Sequence, residues 1–136
     1  MTVKSYNTSE KSPVVSATTK GIGLAALVTI IYVHLADLSG KLSETPYLGY
    51  AYIALMVGSV LALVLILRNN RQGWTLGGAL ALGAIIAYAL SRTTGLPAAM
   101  DDVGNWLEPL GVAALISEAV MVALSGYVLG RTSKPV

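Results

Sequence analysis

The stretch YLGYAYIALMVGSVLALVLIL, residues 47–67, decides the fold because its 21 positions contain no charged residue. An apolar run of about 20 residues is long enough to cross the hydrocarbon core of a bilayer as a helix. Every backbone group in lipid must hydrogen-bond within its own segment, so such a run is expected to be helical. Similar runs at 21–38, 74–90 and 107–129 predict three more spans. Because the predicted links are short, we expect an all-α polytopic membrane protein, a compact bundle of four transmembrane helices.

Composition excludes several classes of protein. The chain has 136 residues, of which 54% are hydrophobic and 12% charged, whereas soluble domains carry about 25% charge. The net charge is only +2 and no basic run is present, so we expect no nucleic-acid partner. Cysteine is absent and histidine occurs once, which excludes a disulfide framework and any multi-His or thiolate metal site built by this chain alone. We therefore expect no cofactor and no metal.

The basic residues are divided unequally between the two predicted sides of the membrane. One side carries seven of them, at Lys4, Lys11, Lys20, Arg68, Arg71, Arg131 and Lys134, and the other carries Lys41 and Arg92. Since Lys and Arg accumulate in cytoplasmic loops, we expect a cell-membrane protein with both termini in the cytoplasm. Residues 1–20 are then a polar cytoplasmic tail, 21–129 the transmembrane domain and 130–136 a basic cytoplasmic tail. Trp74 is expected to anchor its helix at the cytoplasmic boundary.

Glu118 is the most informative residue, because it lies near the middle of the fourth span. Ionisable groups inside a span are energetically unfavourable and are functional hypotheses by default. Glu118 shares a helical face with small residues, so we expect it to point into the bundle or at another chain. Two interpretations stay open. In the functional interpretation, Glu118 relays protons or cations, or it completes a metal site with a partner. In the structural interpretation, it locks helix packing as a neutral or ion-paired group with Arg92 or His34.

His34 and Asp37 lie three positions apart near the end of the first span, and therefore on one helical face. One interpretation is a hydrogen-bonded pair that closes the end of the span. A metal site is the alternative, but it would need Glu118 and the loop acids to converge on the pair. Together, Glu118, His34, Asp37 and Arg92 form a candidate intramembrane polar network.

The longest link, SRTTGLPAAMDDVGNWLEP at residues 91–109, is the most distinctive stretch. Gly95 and Pro97 are expected to end the third helix, and Asn105 is a candidate cap of the fourth. We interpret the link as an outward docking loop, whose candidate contact residues are Asp101, Asp102, Trp106 and Glu108. A weak calcium site is the alternative, although calcium requires 6–8 ligands.

Small residues recur along two helices. Ala79, Gly83 and Ala87 repeat every four residues on the third span, and Gly126 and Gly130 form a GxxxG motif on the fourth. Such faces let helices approach closely. Because a four-helix bundle needs only one close face per helix, these ladders suggest contacts with other membrane subunits.

The second half of the chain resembles a recurring signature of small uncharacterised prokaryotic four-span membrane proteins. In that signature an Arg ends the third span, a Gly-x-Pro turn follows, and Trp-x-Glu-Pro-Leu-Gly leads into a fourth span that carries a Glu. The matching residues are Arg92, Gly95, Pro97, Trp106, Glu108, Pro109, Gly111 and Glu118. The resemblance implies the four-span fold and no activity. Similar small proteins accompany larger membrane enzymes, including copper-dependent membrane monooxygenases, which is an analogy of size and topology.

Catalysis is not expected, because the sequence contains no recognisable nucleophile–base motif and no phosphate-binding loop. The leading hypothesis is a non-catalytic accessory subunit of a larger membrane complex, such as an oxidase or a copper-dependent monooxygenase, with lipid and other integral membrane subunits as its partners. The alternative is a small homo-oligomeric channel, or a proton- or cation-handling protein that uses Glu118.

Overall fold

The computed structural model describes residues 15–132 of the chain. Its helices are α1 (Ala17–Glu44), α2 (Pro46–Leu67), α3 (Gln72–Arg92) and α4 (Pro109–Thr132), with a short 3₁₀ helix at Met100–Asp102. All four long helices are long and apolar enough to cross a membrane. The prediction of an all-α polytopic membrane protein is confirmed. Most of both predicted tails, including Lys4, Lys11 and Lys134, lies outside the described residues.

The helices form a closed ring. Each of them packs against the next one in the sequence, and α4 packs back against α1. Every helix turns large apolar side chains outward, as lipid-facing surfaces do. Examples from the four helices are Val28, Tyr32, Leu35, Val57, Leu61, Leu82, Ile86 and Ile116. The outer surface of the four helices is therefore largely apolar.

The first helix is longer than the predicted span 21–38. It begins after Ser16, whose hydroxyl accepts a hydrogen bond from the backbone N–H of Thr19 at 3.1 Å, as an N-cap residue does. It continues to Glu44, so most of the link predicted at 39–46 is helical. Only Thr45 separates α1 from α2, which begins at Pro46. A polar segment can continue a helix beyond the hydrocarbon, and an apolar-run criterion does not detect it.

The end of the bundle that carries Thr45 and residues 93–108 is called the loop end, and the opposite end the terminal end. The apolar core lies towards the terminal end and centres on Leu27, Ile30, Ile66 and Met121. Trp74 belongs to this core and is 3% exposed. Its ring packs where a Cβ on Gly23 would be, 2.6 Å from the nearest ring atom. Trp74 lies in the first turn of α3, but its indole packs inside the bundle because the glycine on α1 leaves room for it.

Residues 93–108 fold over the loop end and are tied to it. The hydroxyl of Tyr47 donates a hydrogen bond to the carbonyl of Pro97 at 2.7 Å. The hydroxyl of Tyr88 donates to the carbonyl of Trp106 at 3.1 Å, and their rings pack edge to face. Gly95 has a φ of +80°, and a Cβ there would clash with the sulfur of Met100. The link is therefore a packed cover that lies over one end of the bundle.

Candidate functional site

A cavity of about 570 Å³ lies among the four helices, between the apolar core and the loop end. Its size falls within the range of about 300–1,000 Å³ that is usual for small-molecule sites. The walls contributed by α2 and α3 are mostly small or apolar. The polar residues of the lining are His34, Asp37, Lys41, Tyr52, Tyr88, Ser91, Arg92, Asp102, Glu108 and Glu118. The cavity therefore brings together all four residues of the predicted intramembrane network.

His34 and Glu118 face each other at the deep end of the cavity. Nε2 of His34 lies 3.7 Å from Oε1 of Glu118, which is beyond hydrogen-bond distance. Nδ1 of His34 lies 2.8 Å from the carbonyl of Ile30. Because a carbonyl only accepts, this contact assigns the proton to Nδ1. The ring is thus oriented by its own helix, and Nε2 faces Glu118 and the cavity.

Glu118 is buried without a partner that satisfies its carboxyl group. The residue is 2% exposed. Within residues 15–132 its side chain makes no hydrogen bond, and no Lys or Arg nitrogen lies within 4.0 Å of it. Buried polar groups in folded proteins are nearly always hydrogen-bonded. The carboxyl of Glu118 therefore faces the open space of the cavity instead of a hydrogen-bonding neighbour.

Asp37 lies one turn from His34 on α1, between the deep end and the mouth of the cavity. The hydroxyl of Tyr52 donates a hydrogen bond to Oδ2 of Asp37 at 3.4 Å. The Tyr52 ring also packs edge to face on the imidazole of His34, with 4.7 Å between ring centroids. Tyr52 thus connects Asp37 to His34. No Lys or Arg of the described chain pairs with Asp37 within 4.0 Å.

Arg92 lies at the mouth of the cavity and is 7% exposed. Its guanidinium lies 3.1 Å from Asp102 and 3.7 Å from Glu108, and it also stacks on the Tyr88 ring at 4.6 Å. Lys41 adds a second cation, 3.4 Å from Asp102. The sequence allowed Arg92 as the partner of Glu118, but the structure pairs Arg92 with the loop acids instead.

Glu108 holds the start of α4. Its carboxylate accepts hydrogen bonds from the backbone N–H groups of Leu110 at 3.2 Å and Gly111 at 2.8 Å. A carboxylate at this position satisfies two free N–H groups and complements the positive end of the helix. The prediction of Asn105 as the cap was wrong, because the first turn of α4 begins at Pro109, directly after Glu108.

The predicted docking loop divides into two pairs of residues. Asp102 and Glu108 turn inward to Arg92, whereas Asp101 and Trp106 stay exposed. The alternative of a calcium site finds no support. Among residues 15–132 no group of three or more His, Cys, Asp and Glu side chains could hold a metal ion.

Sequence reasoning missed four polar residues of the site, namely Lys41, Tyr52, Tyr88 and Ser91. Lys41 follows Asp37 by four positions and His34 by seven, so helical spacing already places all three on one face. Tyr52 carried no comparable signal, because it is one of several tyrosines near the start of α2. Its position depends on how α2 rotates against α1.

The two small-residue ladders differ in what they face. Ala79, Gly83 and Ala87 line the cavity, and a Cβ on Gly83 would meet no atom within 4 Å. Gly126 and Gly130 also have no described neighbour within 4 Å, but they lie outside the cavity. The ladder on α3 is thus a cavity wall, whereas the GxxxG motif on α4 faces away from the other described helices.

No family model matches the chain, and neither curated proteins nor solved structures give a significant match. The resemblance to small prokaryotic four-span proteins stays a prediction.

Proposed function

We propose that this chain is a non-catalytic membrane protein that binds a small molecule in the cavity of its loop half. The observation that carries the proposal is the Glu118 carboxyl, which is 2% exposed and lines a cavity of about 570 Å³ without a hydrogen bond. A bound molecule would supply the missing partner. Polar groups converging in a largely apolar cavity are the usual arrangement of a ligand site.

The internal contacts favour binding over a purely structural role for Glu118. His34 already donates Nδ1–H to its own helix, and Arg92 is paired with Asp102 and Glu108. Neither candidate partner therefore depends on Glu118 for its own hydrogen bonds or charge balance. A residue that locked helix packing would hydrogen-bond to a neighbouring helix, whereas within the described chain Glu118 makes only the 3.7 Å contact to Nε2 of His34 on α1.

The proposed entrance to the cavity is the seam between α2 and α3. Ala51 and Ala54 on α2, and Gly83 and Ala87 on α3, line the cavity and are exposed. Towards the terminal end the same helices are in tight contact, since a Cβ on Gly73 would lie 2.8 Å from backbone atoms of α2. A ligand could thus enter from the loop half, while the core blocks a continuous path. This arrangement supports a binding site more than the alternative of a channel.

The test is whether a small molecule co-purifies with the protein and depends on the cavity. Gly83→Leu would put a side chain into the cavity, and Gly126→Leu is the matched control, because both glycines have open space at the Cβ position. Solvent extracts of both variants and the unmodified protein would be compared by mass spectrometry. We expect one species that Gly83→Leu loses and Gly126→Leu keeps. No such species, or one that survives in Gly83→Leu, would overturn the proposal.

For the orientation, we propose that both termini are cytoplasmic and that the cavity mouth faces the outside of a cell membrane. The support is the distribution of Lys and Arg described above. The chain has no cysteine, so single cysteines can report on each side. Asp101→Cys is expected to react with an impermeant maleimide on intact cells, and Asn70→Cys only after permeabilisation. The reverse pattern would invert the topology.

A second proposal, an accessory subunit of a larger membrane complex, is favoured by the GxxxG motif on α4. Gly126 and Gly130 have open space where a neighbouring helix could approach closely. A membrane oxidase or a copper-dependent monooxygenase is the kind of partner proposed. In a mild-detergent pull-down, Gly126→Leu and Gly130→Leu should release a specific set of membrane subunits that Gly83→Leu retains. Equal recovery from all three variants would remove the support for this role.

A further inference from the structure

Resting on the proposed ligand cavity, we infer that its ligand is an organic cation: an ammonium group attached to an apolar body. Among the ion pairs of the cavity, Glu118 meets only Nε2 of His34, at 3.7 Å. Two carboxyl groups, Glu118 and Asp37, have no Lys or Arg partner within the described chain. A cation between them would supply that partner.

The basic groups of the cavity lie beside carboxylates, although Nε of Arg92 is buried without a hydrogen-bond partner among the described residues. Arg92 lies within ion-pair distance of Asp102 at 3.1 Å and Glu108 at 3.7 Å, and Lys41 lies 3.4 Å from Asp102. An anionic ligand would have to compete with these carboxylates for both cations. The charge arrangement is therefore unfavourable to an anion.

A metal ion fits the cavity less well than an organic cation. Over residues 15–132 no three potential metal ligands lie close enough together to form a site, whereas protein metal sites usually have three or more protein ligands. An organic ammonium group requires fewer protein ligands than a metal ion. It is stabilised by one or two carboxylates and by aromatic faces within about 6 Å of its charge.

The remaining walls fit the apolar body of such a ligand. Small and aliphatic side chains of α2 and α3 form much of the rest of the lining. Tyr52 contributes an aromatic ring beside His34, between the two unpaired carboxyls. The polar end of the molecule would thus lie on the side of α1 and α4, and its hydrocarbon would face α2 and α3.

The test compares three probes of similar shape and different charge. Benzyltrimethylammonium is the cation, neopentylbenzene its neutral carbon analogue, and benzenesulfonate the anion. Binding would be measured by equilibrium dialysis with the full chain in phosphatidylcholine nanodiscs, with empty nanodiscs subtracted. We expect benzyltrimethylammonium to bind most tightly. Glu118→Gln keeps the shape of the side chain but cannot carry a negative charge. The affinity of this variant for benzyltrimethylammonium should therefore fall about 10- to 100-fold.

Glu44→Gln is the matched control, since Glu44 is exposed at the end of α1 outside the cavity, and it should bind the cation like the unmodified chain. Equal binding of the cation and its neutral analogue, with no effect of Glu118→Gln, would overturn the inference while the ligand cavity stands. Preferential binding of benzenesulfonate, or no binding of any probe, would overturn it as well. The co-purification test with Gly83→Leu decides the proposed function separately.

Discussion

The same four helices form a packed apolar core in one half of the bundle and a cavity in the other. Towards the terminal end, Leu27, Ile30, Ile66 and Met121 are almost completely buried against one another. Towards the loop end the helices enclose a cavity with a polar wall. Since helix association in lipid depends largely on close packing, the terminal half is expected to supply most of the stability. The loop half can therefore hold groups that stabilise a ligand better than they stabilise the fold.

Two glycines of α3 test most directly whether the two halves of the bundle are packed differently. A Cβ on Gly73 would lie 2.8 Å from the carbonyl oxygen of Ala62 and from the backbone nitrogen of Ile66. Backbone atoms of a helix cannot move aside easily, so Gly73→Val should destabilise the bundle by about 3 kcal/mol or more. Gly83→Val on the same helix meets open space and should change stability by less than about 1 kcal/mol. Unfolding in mixed detergent micelles would measure both. Equal losses would show that the two halves are packed alike.

The ion pairs at the cavity mouth are the second contrast, since they are the loop half's main internal contacts. Arg92→Met would leave Asp102 and Glu108 without their shared guanidinium. Because both acids are partly exposed, we expect a loss of about 2 kcal/mol, below the 3–5 kcal/mol of a fully buried pair. Lys41→Met removes a single, longer contact to Asp102 and should lower stability by less than about 1 kcal/mol. An equal loss of stability in the two variants would show that the contact of Arg92 with Glu108 adds nothing to the contacts with Asp102.

Two apolar residues of α4 extend the comparison to side-chain packing. Met121 is completely buried in the core, whereas Leu110 lines the cavity. Met121→Ala should lower the unfolding free energy by about 1.5 kcal/mol. This is less than in a soluble core, because lipid replaces part of the lost apolar environment. Leu110→Ala only enlarges existing space, and its effect should stay below about 0.5 kcal/mol. If Leu110→Ala lowered the unfolding free energy as much as Met121→Ala, side chains in the loop half would be packed as tightly as those in the core.

The four spans could be predicted from the sequence, because a long uninterrupted apolar run in a chain with so few charged residues forms a membrane-spanning helix and few other structures. The ends of the helices could not. The polar continuation of α1 to Glu44 and the Glu108 cap depend on local hydrogen bonds, which hydropathy does not register.

For the site, the residue types were predictable and their pairing was not. His34, Asp37, Arg92 and Glu118 stand out because charge inside a span is rare. Which of them meet depends on how each helix rotates about its axis, and single-sequence periodicity leaves that rotation open. The ladder of Ala79, Gly83 and Ala87 shows the same limit. Small residues allow either a close helix contact or an open cavity, and only packing decides between them.

The smallest expected effect, on stability, belongs to Glu118, and it separates the two interpretations of this residue. If Glu118 locks helix packing, Glu118→Leu should lower stability by about 1–3 kcal/mol, because its partner would be left unpaired, while Glu118→Gln would be tolerated. The structure shows no hydrogen bond to Glu118 among the described residues, and His34 keeps its bond to Ile30 in either variant. We therefore expect neither variant to be less stable than the unmodified protein by more than about 0.5 kcal/mol. Ligand-free protein in mixed micelles provides the measurement, and Arg92→Met serves as the positive control. A clear loss in Glu118→Leu alone would make Glu118 a structural residue of the bundle. No change in either variant would leave its buried carboxyl available for binding.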